Sequence, residues 1–286
     1  MSLITDPSRP AVLFPGQGSQ TPDMRDLVAR SAPDLLERCC ELVGEDPFAR
    51  VEESTRFAQP AIFCASLAGY DTLDVEPGVA AGHSLGELGA LAAAGVLDRD
   101  DALGLVVLRG RLMGEARNGT MAALVGADPE EAAEIAREAG VTVANDNAPG
   151  QVVLSGDRDA LHRASEIAER RGRRTLPLDV AGAFHSPAME PAVGPFKAAL
   201  DATELHEPRF PVVSCATTEP FADPRAELAA ALTRPVRWRE TIQALDAAGV
   251  TTYVEVGPAK VLARMQKRIL PGGARVQTPV EVPSNA

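Results

Sequence analysis

Val79-Ala80-Ala81-Gly82-His83-Ser84-Leu85-Gly86-Glu87, followed by the Ala/Leu-rich stretch Leu88 to Leu97, decides how this chain is read. A short apolar run, a tight turn with a serine at its tip and a helix-forming run make the layout of a nucleophile elbow. A serine at so sharp a strand-to-helix turn sits in strained backbone, and its neighbours tolerate almost no side chain, hence Gly82 and Gly86. The helix that starts at the serine points N–H groups toward developing negative charge. A Gly-rich turn opening a buried helix would give a similar string. The apolar run before the turn and the helical run after it favour the elbow, and with it covalent acyl–serine chemistry.

Around that point the composition sets limits. A chain of 286 residues can bury a full core as one large domain or two unequal ones. Aromatic residues are only 4%, so small side chains must do much of the helix packing. A net charge of -12 argues against nucleic acid as a general partner and against an anionic membrane surface. Cys39, Cys40, Cys64 and Cys215 show no Cys-x-x-Cys spacing and read as reduced thiols. No metal-ligand spacing is present, so no metal is expected. Residues 1–10 lack a basic start and an apolar core, and Leu88 to Leu97 is too short to span a bilayer. The expected location is the cytoplasm. No oligomerisation signal stands out, and a monomer is the default expectation.

Outward from the elbow, Ala11 to Phe14 reads as an opening strand that runs into Pro15-Gly16-Gln17-Gly18-Ser19-Gln20. Gln59-Pro60 is expected to open a helix, with Pro in its first turn. Asp98 is the expected cap of a helix over Arg99 to Glu115. From about 120 the pattern changes. Strands over Met121–Val125, Val141–Ala144, Gln151–Ser155 and Thr175–Val180 alternate with helices begun by Asp128 and Asp157, and Asn145 to Gly150 reads as a turn. The order βαββαβ predicts a ferredoxin-like subdomain over 120–182. Strands resume near Val212-Val213 and Thr252 to Val256. The fold class is therefore α/β: a large α/β-hydrolase-like domain with a mostly parallel sheet over 1–119 and 183–270, carrying that insertion. Residues 271–286 read as an irregular tail.

A serine nucleophile needs a base. His83 adjoins the serine and should point away from it. His162 falls in an Arg/Glu-rich helix, and His206 in a polar loop. His185, in Ala183-Phe184-His185-Ser186-Pro187, follows the inserted module and would face the groove between domains. It is the favoured base.

Phe14-Pro15-Gly16-Gln17-Gly18-Ser19-Gln20, Gly82-His83-Ser84-Leu85-Gly86-Glu87, Arg109-Gly110-Arg111-Leu112-Met113, Gln151-Val152-Val153-Leu154-Ser155-Gly156, Gly182-Ala183-Phe184-His185-Ser186, Pro235-Val236-Arg237-Trp238 and Glu255-Val256-Gly257-Pro258 occur in that order. Together they resemble the malonyl-CoA:acyl carrier protein transacylases, which include free-standing enzymes of fatty acid synthesis and acyltransferases of polyketide synthases. The resemblance runs from about residue 11 to 270. It implies that Ser84 attacks a malonyl thioester and that His185 takes and returns its proton, oriented by a backbone carbonyl near Ala231. It implies an oxyanion hole from the backbone N–H groups of Gln17 and Leu85. Arg109 would hold the malonyl carboxylate, since a planar guanidinium matches a carboxylate with two parallel hydrogen bonds. Gln59 is a further substrate-binding candidate. Leu85 and Phe184 go with malonyl over methylmalonyl in that family, the Phe ring crowding a C2 methyl, although Gly182 departs from the pattern of polyketide domains; Ala259, where the family has Gly, is a structural departure.

The implied reaction moves malonyl from malonyl-CoA to the phosphopantetheine thiol of an acyl carrier protein by a ping-pong route, with no bound cofactor and coenzyme A thioester as substrate. The chain ends soon after these motifs, so the expectation is action in trans for polyketide or fatty acid synthesis. Alternatives are a thioester hydrolase that clears carriers, transfer of another carrier-borne acyl group, or an inactive scaffold. Carrier proteins are usually acidic, so docking needs local basic surface. Arg170, Arg171, Arg173 and Arg174, with Arg264, Lys267 and Arg268, are the candidates.

Overall fold

The computed structural model describes residues 2–116, 119–272 and 275–277. Strand β1 (Ala11–Phe14) leads through helices α1 (Met24–Ser31), α2 (Pro33–Val43) and α3 (Thr55–Asp71) to β2 (Val79–Gly82). Then come α4 (Gly86–Ala94) and α5 (Arg99–Glu115). The next stretch is β3 (Thr120–Val125), α6 (Pro129–Ala139), β4 (Thr142–Ala148), β5 (Gln151–Gly156), α7 (Arg158–Arg170) and β6 (Arg174–Pro177). The chain continues with α8 (Glu190–Ala202), β7 (Val212–Val213), α9 (Pro224–Ala231), α10 (Trp238–Ala247), β8 (Thr252–Glu255), α11 (Val261–Ile269) and β9 (Arg275–Gln277).

Strands β7-β2-β1-β8-β9 form one parallel sheet, and β4-β5-β3-β6 form a separate antiparallel one. β1 and β2 are uniformly apolar or small and buried along their whole length, as strands covered on both faces must be. Val12, Phe14 and Ala80 join the core beneath α3, α4 and α5, while Leu13, Ala11 and Ala81 join the core beneath α10 and α11. The antiparallel sheet splits its residues by the same alternation. Ala122, Leu124, Val152 and Leu154 pack on α6 and α7, and Met121 and Val153 point the other way, toward the large sheet's core.

Asp98, Asp128 and Asp157 cap α5, α6 and α7 with their side chains, where the sequence places those helix starts. Other boundaries move. Helix α3 begins at Thr55, where the Ser54 hydroxyl accepts from the Arg56 N–H, and Pro60 lies inside it. Gln59-Pro60 therefore does not open the helix. The serine cap wins over the proline signal, and Gln59 is carried to a mid-helix position facing α5. The turn expected over Asn145 to Gly150 is confined to Pro149 and Gly150: β4 continues to Ala148 through two register irregularities. The polar run reads as a loop, yet Asp146 is held by Arg239 at 2.6 Å and Asn147 by His83 at 2.8 Å. With the Asn145–Val236 bridge and Arg268 on the Pro149 carbonyl, these bonds clamp the small sheet to the loops and helices around the large one. Strand β6 stops at Pro177 instead of Val180. Arg275–Gln277, within the stretch read as irregular tail, pair with β8 as β9, and residues 278–286 lie outside the described residues.

Candidate active site

In-register pairing of β1 with β2 sets Phe14 beside Gly82, so the loops leaving both strands emerge side by side at their carboxyl ends. The His83 N–H donates to the Phe14 carbonyl at 2.9 Å, joining the elbow to the Gly16–Gln20 loop. The glycines are steric requirements here. A Cβ on Gly82 would lie 2.0 Å from the Gly86 carbonyl carbon, one on Gly86 2.0 Å from the Phe14 oxygen, and one on Gly16 2.6 Å from the His83 oxygen. Ser84 itself has φ 55°, in the left-handed region where a non-glycine residue is strained.

His185 also has φ 55°, and this turn brings its ring onto the serine. Ser84 Oγ and His185 Nε2 are 2.8 Å apart, across 101 residues of sequence. The other ring nitrogen, Nδ1, lies 2.9 Å from the Ala231 carbonyl and 3.0 Å from that of Arg234. Carbonyls only accept, so Nδ1 carries the proton and Nε2 accepts from the serine hydroxyl. Burial, reinforced by the nearby Arg109 charge, pushes the His185 pKa down to about 3. The imidazole is therefore neutral and poised to accept a proton at neutral pH.

Arg109, on α5, is buried, whereas Arg111 two residues on is exposed. Its Nη1 donates to Gln59 Oε1 at 2.8 Å and its Nη2 to Ser84 Oγ at 3.0 Å. Gln59 is fixed in turn: its Nε2 donates to Thr55 Oγ1 at 2.8 Å and touches Met113 Sδ at 3.3 Å. Among the described residues Arg109 forms no ion pair within 4.0 Å. Burial pulls its pKa down to about 10, against the opposing field of Glu87. Glu87 is buried beneath the elbow and accepts from Ser214 Oγ at 3.0 Å and from the Cys215 N–H at 2.8 Å. Burial lifts its carboxyl to about 7.

These groups border a cavity of about 330 Å³. Gln17, Ser84, Leu85, Arg109, Phe184 and His185 line its polar end. Met121 and Val153 of the small sheet, Leu178 just past β6, and Val261, Leu262 and Met265 of α11 form apolar walls. Among the described residues, the Gln17 and Leu85 N–H groups donate to no other protein group. A side chain at position 182 would lie 2.4 Å from the Phe184 ring, so Gly182 makes room for that ring. His83 points away from the serine, to Asn147 and the edge of Trp238, as expected from its position. His162 is solvent-exposed beside Glu166. Among the described residues no group of three or more His, Cys, Asp or Glu side chains is placed to hold a metal ion.

The sequence reading missed the tethers. Asn147 and the Asp146–Arg239 pair carry no local signature, because their partners are far away in sequence; Thr55 is one helical turn before Gln59, and that i, i+4 spacing was the signal for it. Glu87 stood in the quoted elbow without a role. A glutamate in an otherwise small and apolar helix start was the available signal.

A parallel sheet that brings a strained serine, a neutral imidazole and a buried cation to one cavity has the arrangement of enzymes that handle acyl groups. The chain belongs to the acyl transferase domain family, whose profile matches residues 12–281. It is 38% identical over 288 residues to the malonyl CoA-acyl carrier protein transacylase of Bacillus subtilis, covering 92% of this chain and 90% of the relative. It is 35% identical to the polyketide biosynthesis malonyl CoA-acyl carrier protein transacylase PksC of the same organism, covering 90% and 96%. A solved structure of a type II polyketide synthase acyl-carrier protein in complex with its malonyl-transacylase superposes with a TM-score of 0.88 at 34% identity, covering 94% of this chain and 95% of that one.

Proposed function

We propose that this chain transfers malonyl from malonyl-CoA to the phosphopantetheine thiol of an acyl carrier protein, through a malonyl ester on Ser84. In the first half-reaction Ser84 Oγ attacks the thioester carbonyl while its proton passes to His185 Nε2. The Ala231 and Arg234 carbonyls hold the imidazolium in place. The oxyanion sits against the N–H groups of Gln17 and Leu85. The C–S bond breaks, and His185 returns the proton to the departing coenzyme A thiolate. The second half-reaction reverses these steps with the carrier thiol as nucleophile. Coenzyme A enters as a substrate thioester, not as a resident cofactor.

Arg109 carries the reading. A cation buried with no counter-ion within bonding distance among the described residues, one hydrogen bond from the nucleophile, suits an acyl group that brings its own carboxylate. An apolar acyl chain would gain nothing from it. Phe184 narrows the cavity beside the base, which favours malonyl over C2-substituted donors. For the carrier, α11 is the favoured dock. Its inner side lines the cavity while Arg264 and Lys267 are exposed on it. Arg171 and Arg173 are engaged by Glu134, Glu138 and Glu131. The strand order β4-β5-β3-β6 with helices α6 and α7 on one face supports a ferredoxin-like description of the insertion. The elbow at the end of β2 supports a hydrolase-like description of the parallel-sheet unit.

The test is to incubate the protein with malonyl-CoA and a phosphopantetheinylated carrier, and to measure malonyl-carrier and free malonate together. Transfer requires carrier loading to outrun malonate release and to vanish in Ser84→Ala. Malonate release at the same rate with or without carrier would make the protein a hydrolase.

A further inference from the structure

The guanidinium of Arg109 is bonded to the reacting atom itself. Nη2 donates to Ser84 Oγ at 3.0 Å while that hydroxyl lies 2.8 Å from His185 Nε2. The hydroxyl's proton is directed at His185, so the Arg109 bond occupies a lone pair of the oxygen that must attack. Such a charge-assisted bond draws density from Oγ. The same cation lies close enough to His185 to oppose the imidazolium that forms as the proton arrives. Both effects slow attack in the empty site, and both are removed by an anion on the guanidinium. A carboxylate is a much stronger acceptor than a hydroxyl, so it competes for the Nη2 hydrogen and neutralises the charge. Glu87 does not do this: among the described residues it makes no ion pair with Arg109 within 4.0 Å, and its Oε1 is turned to Ser214 and Cys215. The Gln59–Thr55 tether on the other arm keeps the guanidinium in place as its partner changes.

We propose that Arg109 is a latch on the nucleophile: it restrains Ser84 until the carboxylate of the incoming acyl group takes the guanidinium. The inference rests on the reading of Arg109 as the carboxylate site. It adds that the carboxylate activates the serine as well as anchoring the substrate, so discrimination against uncharged acyl groups lies in the acylation rate at saturation as well as in binding.

The test separates the carboxylate from the acyl donor. A neutral alkyl fluorophosphonate labels an activated serine: the O–P bond forms, P–F breaks, the hydroxyl proton passes to His185, and fluoride leaves. Its rate on the wild-type protein is followed by intact mass with increasing formate at constant ionic strength, chloride replacing formate. The latch predicts a saturable acceleration of about ten- to a hundredfold, the range set by releasing one charge-assisted hydrogen bond. Arg109→Ala and Arg109→Gln label at the accelerated rate without formate and do not respond to it. A wild-type rate that formate leaves unchanged or slows overturns the latch. Malonyl-CoA and acetyl-CoA are compared in parallel on the same variants. Loss of malonyl preference in Arg109→Ala with formate-insensitive wild-type labelling overturns the latch and leaves the carboxylate site standing. Preference retained in Arg109→Ala overturns that site as well.

Discussion

Replacing Arg109 with alanine is the perturbation from which the site's preference can be calculated. In the wild-type cavity the malonyl carboxylate meets a guanidinium that folding has already buried, and that burial pulls its pKa down to about 10. The desolvation of the cation is thus paid before substrate arrives, and little of the pairing energy is lost to it. Truncating one partner of a buried, hydrogen-bonded charge pair costs about 2–5 kcal/mol, and prior desolvation places this pair in the upper half of that range. About 3–5 kcal/mol corresponds to a loss of roughly 150- to 5,000-fold in kcat/KM. Acetyl-CoA has no carboxylate to lose, so its kcat/KM should stay level or rise. The assay is carrier loading from each donor by wild type, Arg109→Ala and Arg109→Lys, with thermal melts to establish that the variants are folded. Lysine restores the charge without the planar fork and should recover only part of the loss. A fall of less than tenfold for malonyl-CoA, or an equal fall for both donors in a folded variant, would refute the reasoning.

Other consequences are equally specific. His185 is buried neutral with a pKa of about 3, so the acid limb of kcat/KM should lie well below the ordinary histidine value of 6.5 and should move upward in Arg109→Ala; a wild-type limb near 6.5 would contradict the burial argument. The same depression contributes stability that is complete above pH 6.5 and is lost as pH falls toward 3, which urea melts across that range should record as a falling midpoint. Gly86→Ala forces a Cβ to 2.0 Å from the Phe14 oxygen inside the central sheet, and a destabilisation of about 3 kcal/mol or more is expected in urea unfolding. Phe184→Ala opens the wall beside the base and should raise the methylmalonyl-to-malonyl ratio by about tenfold in a competition assay, since one methyl is worth roughly 1–3 kcal/mol.

How much could be read in advance follows from where each signal is stored. The elbow is local: Gly82, Ser84 and Gly86 state their steric needs within a few residues, and the structure meets them. Helix starts at Asp98, Asp128 and Asp157 are local for the same reason. The partnership of Ser84 with His185 spans the insertion, and chemistry plus family resemblance could nominate it where periodicity could not. Asn145 to Asn147 misled because loop-like composition was a record of distant partners: Asp146 with Arg239 and Asn147 with His83. Gln59 misled about the helix start, yet it belongs to the site as the residue that holds Arg109. The bond between Arg109 and the nucleophile could not be read at all, because it depends on the angle between α5 and the elbow.

The most direct test of the covalent account is rapid-quench intact-mass spectrometry of the protein mixed with malonyl-CoA, with peptide mapping of the adduct. The account predicts one malonyl group on Ser84 within the first turnover, absent in Ser84→Ala, and discharged when the carrier thiol is added. Carrier loading at full rate with no adduct on Ser84, or undiminished loading by Ser84→Ala, would contradict it.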